Sequence, residues 1–197
     1  VIKGTALACS KGADAPKPFQ FAAVPYYAWD NRQPGEMVVW LPEDPALAEP
    51  KPLPTVAGQS TVSASHKHGP DVLEALNDQV EPANSHDHGI PRFTWWDHRG
   101  TTEWVQYDFG TAKKIAGVEV YWFEDAGTGQ CRVPKSWRLS YKDGSDWKPV
   151  QARSDYAAKV DQFNRVTFEP VQASAVRLEV ELQPGFSGGV LEWRVLE

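Results

Sequence analysis

No stretch of this chain approaches the roughly 20 consecutive apolar residues that cross a bilayer as a helix, so no transmembrane segment is expected. Positive charge is scarce too. Lys and Arg total 20 against 26 Asp and Glu, the formal net charge is −6, and no basic block occurs. Recognition of a phosphate backbone relies on clustered Lys and Arg, so no nucleic-acid partner is expected. Cysteine is limited to Cys9 and Cys131, too few for a thiolate zinc cluster without other ligands. The two lie in stretches that read as different modules, which makes two buried thiols a simpler reading than one disulfide. The opening Val1-Ile2-Lys3-Gly4 lacks the basic and apolar regions of a signal peptide. There is no serine nucleophile elbow, phosphate loop, HExxH metal motif or EF-hand pattern, which removes the common signatures of those chemistries.

What the chain has is tryptophan and short apolar alternations. Phe93-Thr94-Trp95-Trp96-Asp97 is followed closely by Thr102-Glu103-Trp104-Val105-Gln106-Tyr107-Asp108-Phe109-Gly110. A core can absorb some of these rings, but not easily all of them beside so many charges. Strand signals follow at 61–65, 104–108, 115–123, 136–141, 147–150, 164–168, 175–182 and 191–196, with a brief helical turn over 72–76. Val118, Val120 and Trp122 alternate with Glu119, Tyr121 and Phe123; Val176, Leu178 and Val180 alternate with Arg177, Glu179 and Glu181. A period of two puts the first set of each run on one sheet face. Repeated half-buried strands of this kind predict an all-β, antiparallel sandwich over 60–197. Asp143-Gly144 marks a turn that pairs 136–141 with a strand in which Trp147 returns to the core.

Residues 1–42 read separately, as a short β-rich appendage with a strand over 35–41; so few strands bury too little apolar surface to stand alone. Residues 43–59 contain Pro45, Pro50, Pro52 and Pro54 and read as a stiff linker, because proline removes backbone donors.

Three groups of residues are candidates for a site. Trp96, His98, Glu124, Arg132 and Phe186 form a candidate sugar-binding set: an aromatic face covers the apolar side of a sugar ring, and Arg and Glu satisfy its hydroxyls. Trp96 and Phe186 read either as ligand platforms or as packing rings, while Trp95 and Trp104 read as packing. Asp78, Asp87 and Asp97, with Glu192 from the last strand, read either as ordinary loop carboxylates or as ligands of a structural calcium ion, which takes six to eight oxygens. The histidine pairs His66/His68 and His86/His88 lack a specified third metal ligand and read as loop hydrogen-bonding groups. Glu124 and Asp125 are adjacent, which does not supply the two opposed carboxyl groups that glycoside hydrolysis needs.

The order and spacing of Ala75-Leu76-Asn77-Asp78, Thr94-Trp95, Trp104 through Gly110, Pro134 through Trp147, Ala175 through Val180 and Glu192-Trp193-Arg194-Val195 resemble a discoidin-like module of the coagulation factor five/eight C-terminal type. They are similar also to the galactose-binding-like carbohydrate-binding modules. That resemblance implies an eight-stranded jelly roll and calcium near Leu76, Asp78 and Glu192. The shell departs from many relatives, which have Asp-Gly where this chain has Asn77-Asp78-Gln79. Val24 through Arg32 and Pro34 through Leu41 resemble the late β-rich part of bacterial β-L-arabinofuranosidase-like glycoside hydrolases. Together the resemblances imply a non-catalytic, extracellular, periplasmic or cell-surface bacterial module. It would bind plant-type oligo- or polysaccharides containing arabinose or galactose, in cis to an upstream catalytic module. A glycan-free structural spacer, or a protein- or membrane-surface recognition module, are the alternatives.

Overall fold

The computed structural model describes residues 54–197. The expectations for 1–42, for Cys9 and for most of the 43–59 linker lie outside them. The linker's last residues, 54–59, form a turn that places Val56 and Ala57 in the core.

Seven strands follow: β1 (Thr61–Ala64), β2 (Phe93–Thr94), β3 (Thr102–Phe123), β4 (Ser136–Asp143), β5 (Asp146–Pro149), β6 (Phe163–Glu181) and β7 (Gly189–Leu196). A 3-10 turn, Leu73–Leu76, stands between β1 and β2. The sequence divides β3 and β6 into two strands each, over 104–108 and 115–123 and over 164–168 and 175–182. In the fold each is one long strand. β3 has register shifts between Asp108 and Lys113 and between Ile115 and Gly117. Such irregularities bend a strand.

The pairing then defines two layers. The first half of β3 pairs with β1 and with the second half of β6, which pairs with β4, and β4 with β5. The second half of β3 pairs with the first half of β6 and with β7, and β7 with β2. All of these pairings are antiparallel. β2 is only two residues long and carries no alternation for a sequence reading to find. It pairs because Gly189 lies opposite Thr94: a Cβ there would sit 2.6 Å from the Phe93 carbonyl oxygen.

Alternation sorts the side chains as the period-two reading requires. Val118, Val120, Trp122, Val176, Leu178 and Val180 all enter the inter-sheet core, with Val105, Tyr107, Trp137, Leu139 and Trp193. The outer face of the second layer is also covered. Tyr121, Phe123, Cys131 and Leu191 form a second cluster there, against Ile90, Trp96 and Phe163. Its cover is tied down by the Glu124 amide donating to the Ser85 carbonyl at 2.9 Å, and by the Ser85 amide donating to Asp161 at 2.8 Å. Burial pushes the Cys131 thiol up to about 12, reinforced by the charge of Asp125. Among the described residues no helix is long and apolar enough to cross a membrane.

One buried residue joins turn and sheet. Tyr107 stacks on Trp193 with ring centroids 4.0 Å apart, and its hydroxyl lies 2.6 Å from the Leu76 carbonyl oxygen and 2.9 Å from that of Trp193. Leaving a buried acceptor without its donor costs about 1–3 kcal/mol. Tyr107→Phe is therefore expected to lower unfolding free energy by about that amount in urea titration, with the fold retained.

Candidate functional site

The second, outer cluster carries an open groove of about 500 Å³, lined by His68, Asp71, Arg92, Thr94, Trp96, Phe123, Asp125, Gly129, Gln130 and Cys131. Phe123, Thr94, Asp71 and Cys131 are buried and make its floor, while Trp96 and Arg92 are half-buried. β2 sets Arg92 and Trp96 by position: the Trp95 amide donates to the Gly188 carbonyl at 3.0 Å, continuing the ladder one residue past the strand. Trp95 points into the core, so its neighbour Trp96 faces the other way, into the outer cluster.

The groove's polar groups are fixed before any ligand arrives. The Thr94 hydroxyl donates to Asp71 at 2.5 Å, and the Arg92 guanidinium lies 3.8 Å from the same carboxylate and 5.3 Å over the Phe123 ring. Lys67 holds the preceding loop by donating to the carbonyls of His68, Gly69 and Asp71. On the other wall, Asp125 accepts from the Cys131 amide at 2.7 Å and faces Arg132 at 3.5 Å. Gly129 is needed here, because the Asp125 carboxylate occupies the place a Cβ would take. Both groove carboxylates accept hydrogen bonds from the protein itself, Asp71 from the Thr94 hydroxyl and Asp125 from the Cys131 amide. An aromatic wall with acceptors and a guanidinium on a small floor is chemistry for holding hydroxyl groups against a ring face.

The five residues anticipated as a sugar-binding set separate in the fold. Trp96 lines the groove. His98 is exposed and stacks on His66 at 3.8 Å, with its Nδ1 2.6 Å from Glu103. Burial alone would raise the Glu103 carboxyl, but hydrogen bonds from Ser65, Thr101 and His98 outweigh it and the group titrates below its usual value. Glu124 accepts from the Val133 amide at 3.2 Å. Arg132 covers the half-buried Phe186 ring at 4.6 Å and donates to the Cys131 carbonyl at 2.7 Å. Arg132 adjoins the groove through Asp125. His68, Asp71, Arg92, Phe123 and Gln130 were not anticipated. Arg92 and Phe123 had a signal, since both flank the tryptophan motif or end a strand. Asp71 had none, because its role depends on contacts 23 residues away with Thr94.

Trp147 does not return to the core as the hairpin reading expected. It is half-buried on the outer face of the first layer, with the Arg177 guanidinium 4.3 Å from its ring, and Arg177 also covers Trp104 at 4.5 Å. His86 and His88 sit edge to face at 4.6 Å, and the His86 ring bonds to the Glu124 carbonyl.

Asp78 and Glu192 meet behind the 3-10 turn. Glu192 is buried; the Gln79 amide donates to it at 3.1 Å, and Arg194 stands 3.9 Å away. Burial and then the charge of Asp78 push the Glu192 carboxyl up to about 8, against the pull of Arg194. Burial likewise raises Asp78. The Leu76 carbonyl, which accepts from Tyr107, keeps a second lone pair. A pair of carboxyl groups of this kind supplies oxygen donors of the type a hard cation takes. Asp87 instead accepts from the Ala83 and Gly89 amides, and Asp97 is exposed. Among the described residues no group of three or more His, Cys, Asp or Glu converges on one point.

The carboxylate pair gives a signed pH dependence. In a chelator, native Glu192 keeps a proton that the unfolded chain releases above 4.5. Stability is then fully present below 4.5 and is lost as pH rises through about 8. Urea titrations across that range should show the decline, and Glu192→Gln should flatten it.

The family model described as the F5/8 type C domain matches residues 60–191. That of the glycoside hydrolase family 127 C-terminal domain matches residues 5–42. No curated protein matches the chain. Among solved structures the fold is similar to one from the Streptococcus pneumoniae β-galactosidase BgaA, at 20% identity and a TM-score of 0.57, covering 70% of this chain and 92% of that one. It is similar to chitosan-binding module 1 of a chitosanase/glucanase from Paenibacillus sp. IK-5, at 14% identity and a TM-score of 0.54, covering 74% and 100%. A Clostridium perfringens structure in complex with GalNAc-β-1,3-galactose has a TM-score of 0.51 at 14% identity, covering 72% of this chain and 97% of that one.

Proposed function

The chain belongs to the F5/8 type C domain family, and from that premise we propose that residues 60–197 are a non-catalytic carbohydrate-binding module. The observation that carries this reading is the groove beside Trp96, where one aromatic wall faces Asp71, Arg92, Asp125 and Gln130. A sugar ring stacks on Trp96, and its hydroxyls bond to these groups. The similar structures come from glycan-degrading or glycan-binding proteins, one of them in complex with a galactose-containing disaccharide, which supports the ligand class.

The finer reading is a bacterial module outside the cytoplasm, bound to plant-type glycans containing arabinose or galactose and held in cis to a glycoside hydrolase. The match of residues 5–42 to a glycoside hydrolase C-terminal domain supports that association. Tethering raises the local concentration of a polymeric substrate even when each contact is weak. Calcium belongs to the same proposal. Asp78, Glu192 and the Leu76 carbonyl would hold it, and its charge would offset the repulsion between the two carboxylates.

Two measurements test this. Isothermal titration of the full chain with arabinan, galactan and their oligosaccharides should give saturable binding to at least one. Trp96→Ala should weaken that binding by about tenfold or more, equivalent to roughly 1.4 kcal/mol. Absence of binding to all of these glycans would leave the spacer reading instead. For the metal, calcium added after chelation should raise the thermal midpoint of the wild type but not of Asp78→Asn or Glu192→Gln.

A further inference from the structure

The outer face of the first layer carries a second set of rings, remote from the groove. Register puts Trp104, Gln106, Arg177, Ser140, Lys142 and Trp147 on that face: Gln106 pairs with Arg177, Arg177 with Ser140, and Lys142 with Trp147. The opposite face of the same strands fills the core through Val105, Tyr107, Leu139 and Leu178. Trp104 and Trp147 are therefore not needed inside, and both remain half-buried.

Arg177 lies between them, 4.5 Å from the Trp104 ring and 4.3 Å from the Trp147 ring. Gln106 Oε1 fixes it by accepting from Nε at 3.2 Å and from a terminal nitrogen at 2.8 Å. Of its five N–H groups, these bonds use two. Each indole offers one face to the guanidinium, and among the described residues no other ring or cation covers the second face.

The charges are unbalanced at this place. None of the ion pairs among the described residues includes Arg177 or Lys142. Of the acids on this face, Glu179 pairs with Arg138 at 2.5 Å and Glu181 with Lys135 at 2.6 Å, while Asp108, two residues along β3 from Gln106, accepts from the Gly110 amide at 2.9 Å. Trp147 thus has Arg177 over its ring and Lys142 opposite it in the β4–β5 register, neither of them in an ion pair, on a protein whose net charge is −6. Rings and unpaired cations together match a ligand that presents ring faces and carboxylates in alternation.

We infer that this sheet face is a second glycan site, selective for a chain of uronic acid residues, with Trp104 and Trp147 as stacking platforms and Arg177 and Lys142 as carboxylate ligands. It is independent of the groove at Trp96. With two sites on opposite faces, one chain bridges separate strands of a polysaccharide network.

Affinity electrophoresis of the full chain in polygalacturonate tests this, with neutral galactan and poly-glutamate as comparisons. The expected result is saturable retardation by polygalacturonate, weakened about tenfold by Trp147→Ala and Arg177→Gln, less so by Lys142→Gln, and unchanged by Trp96→Ala. Lys142→Gln replaces an unpaired surface charge, so it reads the site even where Trp147→Ala perturbs folding. No retardation by polygalacturonate overturns the inference. So does retardation that Lys142→Gln leaves unmoved while Trp96→Ala removes it, or equal retardation by poly-glutamate. Loss of neutral-glycan binding in Trp96→Ala concerns only the groove and leaves the sheet face standing.

Discussion

The β3–β6 ladder is the constraint on which the rest of the structure depends. It runs from the Thr102–Glu181 pair to the Tyr121–Phe163 pair, crossing from one layer to the other. Every other strand is placed by pairing, directly or through one neighbour, with one of these two. A register slip of one residue would exchange Val118, Val120 and Trp122 with Glu119, Tyr121 and Phe123 and bury a carboxylate, so the hydrophobic pattern holds the register. Beyond that ladder β3 continues to Phe123, which pairs with Gly189 of β7 and lies on the floor of the groove.

Tryptophan is used in two different ways. Trp95, Trp122, Trp137 and Trp193 are buried, and their area stabilises the sandwich at about 25 cal/mol per Å² of apolar surface removed from water. Trp96, Trp104 and Trp147 remain half-buried, each with an arginine over its ring. Arginine covers apolar surface with its stem while its guanidinium stays hydrated, so an exposed indole beside it does not become a patch for self-association. The same arrangement holds the ring in one orientation, which lowers the cost of stacking a ligand on it.

Residue type and spacing revealed the sandwich well. Six of the seven strands coincide with alternating or β-branched runs, and the 3-10 turn falls within the expected 72–76. The exception, β2, exists because of a close approach between backbones at Gly189, which no alternation encodes. The site was only partly legible. Trp96 stood out because a second tryptophan follows one that the core takes. Asp71 and Gln130 did not, since their value comes from convergence of the loop after β1 with the loop after β3. His98 looked available in sequence but is engaged by Glu103 and His66.

By itself the sequence determined the layered all-β architecture and the inward faces of β3 and β6. Both follow from periodicity, which local residue order carries. Tertiary structure alone decided which tryptophans remain on the surface and which polar groups join them. Those outcomes depend on where β3 and β6 bend and on what the loops cover, and such distances between remote segments are not carried by any local pattern.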